Sequence, residues 1–191
     1  MAEHDQPKHT DPVPPATVVD FWFETLSARD WYRKSQTLDQ LISARFGATL
    51  RAARAGKTAD WRATPTGRLA EIIVLDQFSR NIHRDSARAF ENDGIALTLA
   101  RDAIASRADQ QLTRQQCAFL YMPFMHSEAL DDHETAQELY DGLGLTSYIT
   151  AEQKHRAIIE RFGRYPHRNA LLGRQNTADE AAFLKEPGSS F

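Results

Sequence analysis

A chain of 191 residues is long enough to bury a core and short enough to form one domain. With 41% hydrophobic and 26% charged residues it is not a disordered polymer, and a formal net charge of −3 gives no bulk attraction to nucleic acid or to an anionic membrane. Its single cysteine, Cys117, excludes an internal disulfide, and the apolar residues that follow it point to a buried thiol.

Residues 1–13 are polar, carry His4, His9, Pro7 and Pro12, and are expected to form a disordered tail ahead of one all-α domain over 14–191. They lack the apolar run of a signal peptide, and no segment reaches the ~20 apolar residues of a membrane span, so the expectation is a cytoplasmic protein with no membrane partner.

From Pro14 onward helix signals dominate. The 3.6-residue pattern predicts helices over 15–28, 37–55, 65–81, 86–107, 113–130, 132–142 and 150–162, a short one over 167–172 and a last over 178–185, about eight or nine in all. Thr37, Thr113, Thr150 and Thr177 are each followed three residues later by Gln or Glu, the spacing of a capping box. Thr64-Pro65 adds a start with proline at the first helical position, and Gly56, Gly142, Gly163 and Gly173 are placed as stops. The β-branched run Ile72-Ile73-Val74 lies inside a helical stripe, so no sheet is predicted. Short connections favour antiparallel neighbours, giving an array of helical hairpins.

Polar residues interrupt the apolar stripes in several places. Continuing Leu69, Ile72 and Ile73 by one turn brings Asp76, then Arg80 four residues on, a spacing at which the two can pair, with Asn81 and His83 at the helix end. In "FLYMPFMHSE", His126 follows the apolar positions Phe119 and Met122, Pro123 removes a helical hydrogen bond just before it, and Glu128 is close by. His155 shares the stripe of Ile158 and Ile159. Finally "RYPHRNALLGR" crowds Arg164, His167, Arg168 and Asn169 around a helix start, where an arginine opposes the helix dipole and needs a negative partner: a carboxylate such as Asp76, or a bound carboxylate or phosphate.

No Walker loop, Gly-x-Ser-x-Gly elbow or Gly-x-Gly-x-x-Gly turn occurs, and no histidine pair has zinc-site spacing, since His126 and His133 are seven apart. Neither a metal nor another cofactor is expected. Aromatic residues are not interleaved with a basic run, so no nucleic-acid groove is expected either.

The blocks "WRATPTGRLAEIIVLDQFSRNIHR", "FLYMPFMHSE" and "HRAIIERFGRYPHRNALLGRQNTADEAAFLKEPGSSF", with "FWF" near the start, resemble the bacterial family called domain of unknown function 924, over about residue 16 to the end. Two departures stand out: Glu24 where that family is expected to have Gly, and Ser79 where it often has Pro. The resemblance implies a tetratricopeptide-like all-α fold and supplies no activity. Its motifs fall here on Asp76, Gln77, Arg80, Asn81, His126, Ser127, Glu128, His155, Arg156, Arg161, Arg164, His167, Arg168 and Asn169.

Three functions compete. The first is binding of a small anionic ligand or peptide carboxylate by Asp76, Arg80, Asn81, Arg164, His167, Arg168 and Asn169. The second is a hydrolase or isomerase in the same pocket, with His126 or His155 as general base oriented by Glu128 or Asp76. The third is a tetratricopeptide-like scaffold for protein partners, which calls for an exposed apolar groove.

Overall fold

The computed structural model describes residues 11–190, and within them every regular element is helical. The histidines His4 and His9 lie outside the described residues. Val13 is buried, and its N–H donates to Thr49 Oγ1 at 3.1 Å, tying the start of the described chain to the core.

Helix α1 (Pro15–Asp20) runs into a π-helical turn, Phe21–Thr25, that buries Phe21 and Trp22. A short α2 (Ala28–Tyr32), absent from the predicted set, is capped by Ser27 and Asp30; the carboxylate there is one carbon shorter than that of the Thr-x-x-Glu signal. Helix α3 (Gln36–Arg54) starts one residue earlier than expected, because Ser35 Oγ rather than Thr37 accepts the orphan amide, from Leu38.

Helix α4 (Pro65–Ile73) is capped by Thr64, whose Oγ1 accepts from Gly67 N–H at 3.0 Å. It continues without a break through a π-helical turn, Val74–Phe78, into α5 (Ser79–Ile82). The wider turn inserts extra backbone into the 3.6-residue register and carries Asp76 to full burial.

The predicted helix over 86–107 is split. Ser86 caps a 3₁₀ turn, Ala87–Phe90, and α6 (Asp93–Ala105) begins only after Asn92, whose Nδ2 donates to Ser79 Oγ at 3.0 Å. That side-chain bond to α5 holds the break open, and it places Asp93 on the first turn of a new helix.

Helices α7 (Arg114–Met125), α8 (Leu130–Leu143) and α9 (Thr146–Phe162) follow, each packed on the one before. The Thr113–Gln116 capping box forms, whereas Thr150 lies inside α9, which starts a turn earlier. Helix α8 stops at Gly144, at φ +66°, and not at Gly142, which is helical. A 3₁₀ turn, Pro166–Arg168, replaces the predicted helix over 167–172, and α10 (Ala178–Phe183) closes the described chain with the expected Thr177–Glu180 box.

The core is aromatic at its centre. Phe46 and Phe78 meet at 4.5 Å between ring centroids, Phe21 and Phe46 at 4.9 Å, and Trp22 stands edge-on to Phe119 at 5.5 Å. This packing fixes α3, the π turns and α7 against one another, and so sets the relative positions of Asp76 and the end of α7.

Candidate functional site

Pro123 removes a hydrogen bond from the last turn of α7, and the helix ends two residues later with His126 as its cap. There His126 Nδ1 lies 2.7 Å from Asp76 Oδ1. The same Oδ1 is 2.9 Å from Arg80 Nη1, and Gln77 Nε2 donates to Oδ2 at 2.5 Å. Burial pushes the Asp76 carboxyl up, but Arg80 and His126 outweigh it and hold the group well below the usual carboxylate range. Being ionised, Asp76 can only accept, so His126 Nδ1 carries the hydrogen. Burial first, and then the Arg80 charge, push the His126 imidazole below its ordinary value despite Asp76, so the ring is neutral near pH 7 with a lone pair on Nε2. No described group is bonded to that nitrogen.

Arg80 reaches further. Its Nη1 and Nη2 donate to the two oxygens of Asp93 at 2.9 and 3.0 Å, and Nη1 also donates to the Asp76 carbonyl at 2.9 Å. Asp93 Oδ2 then accepts from Arg168 Nη1 at 3.3 Å. The Arg168 guanidinium is sandwiched, 4.7 Å over Phe90 and 4.5 Å over Tyr165, and its Nε is buried with no acceptor among the described residues. Burial and the nearby Arg80 charge both lower its pKa. The negative partner that Arg168 needs is therefore Asp93 rather than Asp76.

Phe90, Asp93, His126 and Arg168 border a cavity of about 410 Å³, within the range of small-molecule sites. Glu91, Asp93, His126, Ser127, Glu128 and Arg168 give it polar corners, with the three carboxylates paired to Arg54, Arg80 and Arg174; Phe90, Leu97, Pro123 and Leu172 give it apolar walls. Glu128 is held by Arg174, at 2.6 and 2.9 Å, and by the Tyr165 N–H at 2.9 Å. It does not touch His126 by any hydrogen bond described. Burial raises the Glu128 carboxyl, but Arg174 and the Tyr165 amide bring it below its ordinary value.

The remaining expected site residues divide. His155 stands 6.5 Å from His126 between ring centroids; its Nδ1 donates to the Ala151 carbonyl at 2.8 Å, and burial pushes its pKa down to about 3. His167 lies 5.5 Å from the Tyr165 ring and is pushed down to about 4, again mainly by burial. Three others face elsewhere. Asn81 donates to Asp39, which also pairs with Arg84. Arg164 forms a two-point pair with Glu180 at 2.6 and 2.8 Å, and Asn169 Nδ2 donates to Asn176 at 2.7 Å. The arginines that the sequence left unexplained thus have carboxylate partners; Arg168 alone among them shares its carboxylate with a better-placed arginine.

Two groups were not anticipated. Asp93 lay hidden inside a predicted helix. His133 Nδ1 is 2.7 Å from Glu152 Oε1, both fully buried, while Nε2 is 3.0 Å from the Ser127 carbonyl. This contact supports the Ser127–Glu128 turn from beneath. Among the described residues no cluster of metal-ligating side chains occurs, and no helix is long and apolar enough to cross a membrane.

The model of a family described as "Bacterial protein of unknown function (DUF924)" matches residues 18–188. A solved structure of a protein of unknown function from Agrobacterium tumefaciens is similar to the chain, with 34% identity and a TM-score of 0.86, covering 90% of this chain and 96% of that one. No curated protein matches.

Proposed function

The chain belongs to the DUF924 family of bacterial proteins of unknown function, and from its geometry we propose that the cavity binds a small organic anion, a carboxylate with an apolar body, through Arg168. One observation carries this reading: Arg168 is a buried cation whose only carboxylate contact among the described residues is long and falls on an oxygen that Arg80 already holds at 3.0 Å. A buried charge without a full partner is costly, and an incoming carboxylate supplies the missing negative charge through charge-assisted hydrogen bonds. The apolar walls suit a hydrocarbon body, and the volume suits a metabolite better than a peptide.

A thermal-shift screen of monocarboxylates against the purified protein tests the reading. Ligand at a hundred times its dissociation constant stabilises by about 2.7 kcal/mol. The expected result is a shift with the wild type that is lost in Arg168→Gln; an equal shift in that variant contradicts the assignment.

A second reading, hydrolysis or isomerisation with His126 as general base, is favoured by the Asp76–His126 bond, which fixes the tautomer a base requires. The scaffold alternative draws on nothing comparable. Large exposed apolar side chains among the described residues, Tyr32, Leu41, Ile95, Leu130 and Leu172, come from five separate segments.

A further inference from the structure

We infer that the cavity is the active site of an isomerising enzyme that enolises short α-keto acids, with His126 as the base and Arg168 as the anchor of the carboxylate and keto oxygens. This inference rests on the binding reading above and deepens it. Two features argue for proton transfer at carbon rather than hydrolysis through a covalent intermediate. The first is that, among the described residues, the cavity wall carries no thiol and only one hydroxyl, that of Ser127. Ser127 Oγ donates its proton to Asp132 Oδ2 at 2.6 Å, a carboxylate that does not line the cavity, and accepts the Ala129 N–H at 3.1 Å, while the Cys117 thiol is buried against the Asp109 carbonyl. The second is the pairing of unlike groups on one mainly apolar cavity: a neutral imidazole with its tautomer fixed, and a desolvated guanidinium with donors to offer.

The chemistry closes without a further reactant. The carboxylate and keto oxygens of an α-keto acid lie side by side and match the fork of one guanidinium. His126 Nε2 takes the proton from the carbon next to the keto group. The C–H electron pair becomes the new C=C bond, and the carbonyl π pair moves to oxygen, where Arg168 faces the developing negative charge. The imidazolium formed is balanced by Asp76, which acts as a positioning residue. Its proton then returns to carbon or to the enolate oxygen.

The test uses pyruvate, α-ketobutyrate and α-ketoisocaproate with the full chain in deuterium oxide, following deuterium entry next to the keto group by proton NMR. His126→Asn is the informative variant. Its side-chain amide can still donate to Asp76 where Nδ1 does, so the fold is retained while the base is lost. The expected result is exchange above buffer with the wild type and a loss of about a hundredfold or more in His126→Asn, in line with general-base contributions, with the thermal shift by the same acid kept. For Asp76, the nitrogen-15 signature of His126 is expected to report the Nδ1–H tautomer in the wild type and a mixture in Asp76→Asn, which also exchanges more slowly. Keto acids that shift the melting temperature without exchange overturn this inference and leave the binding reading intact, as does undiminished exchange in His126→Asn. Absence of a shift with any monocarboxylate overturns the binding reading, and this one with it.

Discussion

Arg80 and Asp93 form a two-point ion pair, with both terminal nitrogens of the guanidinium within 3.0 Å of the two carboxylate oxygens. Asp93 also serves Arg168, so this one carboxylate lies between a half-buried arginine and a buried one and offsets their mutual repulsion. Asp93→Asn leaves the buried Arg168 without its carboxylate and is expected to destabilise the protein by about 3 kcal/mol, the low end of the range for a buried pair because Asp93 is itself partly exposed. At roughly 2–4 °C per kcal/mol for a chain of this size, the melting temperature should fall by more than about 5 °C. A fall of a degree or less in a calorimetric scan contradicts the role given to Asp93.

Gly67 sits where a side chain cannot fit. A Cβ there would lie 2.0 Å from the Trp61 carbonyl oxygen and 2.9 Å from Thr64 Oγ1, the atom that caps α4. Alanine favours a helix interior over glycine by about 1 kcal/mol, but the clash is with backbone and outweighs that gain. Gly67→Ala is therefore expected to lower stability by about 1–3 kcal/mol in urea unfolding; an increase in stability contradicts the close approach.

Acid should weaken the fold before the carboxylates titrate. Burial holds the His155 pKa at about 3 against 6.5 in the unfolded chain. Below pH 6.5 the unfolded state takes up a proton that the folded state refuses, so this contribution is complete above pH 6.5 and is lost as pH falls toward 3. Between pH 7 and 5.5 the loss from His155 amounts to about 1 kcal/mol. Urea midpoints at the two pH values should differ less in His155→Gln than in the wild type by that amount. Identical pH dependence in the two proteins contradicts a buried neutral His155.

Cys117 is expected to be inert. It is 4% exposed, its Sγ donates to the Asp109 carbonyl at 3.2 Å, and burial together with Asp109 raises its pKa. Iodoacetamide at pH 7.5 should label it only after denaturation, as read by intact mass. Rapid labelling of the folded protein contradicts this.

Much of the fold was legible because its signals are local. The Thr113 and Thr177 boxes and the Thr64-Pro65 start all hold, and the apolar stripes Leu69, Ile72 and Ile73 of α4 and Ile158 and Ile159 of α9 are buried as expected. Misplaced ends trace to local rivals: Ser35 for Thr37, Gly144 for Gly142, and a start near Leu145 ahead of Thr150. The candidate site was legible only in part. Asp76 and Arg80 pair at the i,i+4 spacing that periodicity supplies. The bond from Asp76 to His126 spans 50 residues, and the one from Arg168 to Asp93 spans 75, with nothing in either neighbourhood to name the other. Asp93 was further masked because the break before α6 depends on Asn92 reaching Ser79. The partners of Arg164, Asn81 and Asn169, namely Glu180, Asp39 and Asn176, were likewise not legible, since only folding brings Asp39 to Asn81 and the chain reversal after Gly173 brings Asn176 and Glu180 back to the other two.

The most direct measurement of the central claim is a calorimetric titration with phenylacetate and with its neutral amide, performed on the wild type and on Arg168→Gln. A hydrogen bond to a charged group is worth about 1.5–3 kcal/mol, so the wild type should favour the acid over the amide by roughly tenfold or more. In Arg168→Gln that preference should disappear while weak binding of the amide persists. Equal affinity for acid and amide in the wild type, or an unchanged preference in the variant, would show that the buried Arg168 is not the anchor of an anion.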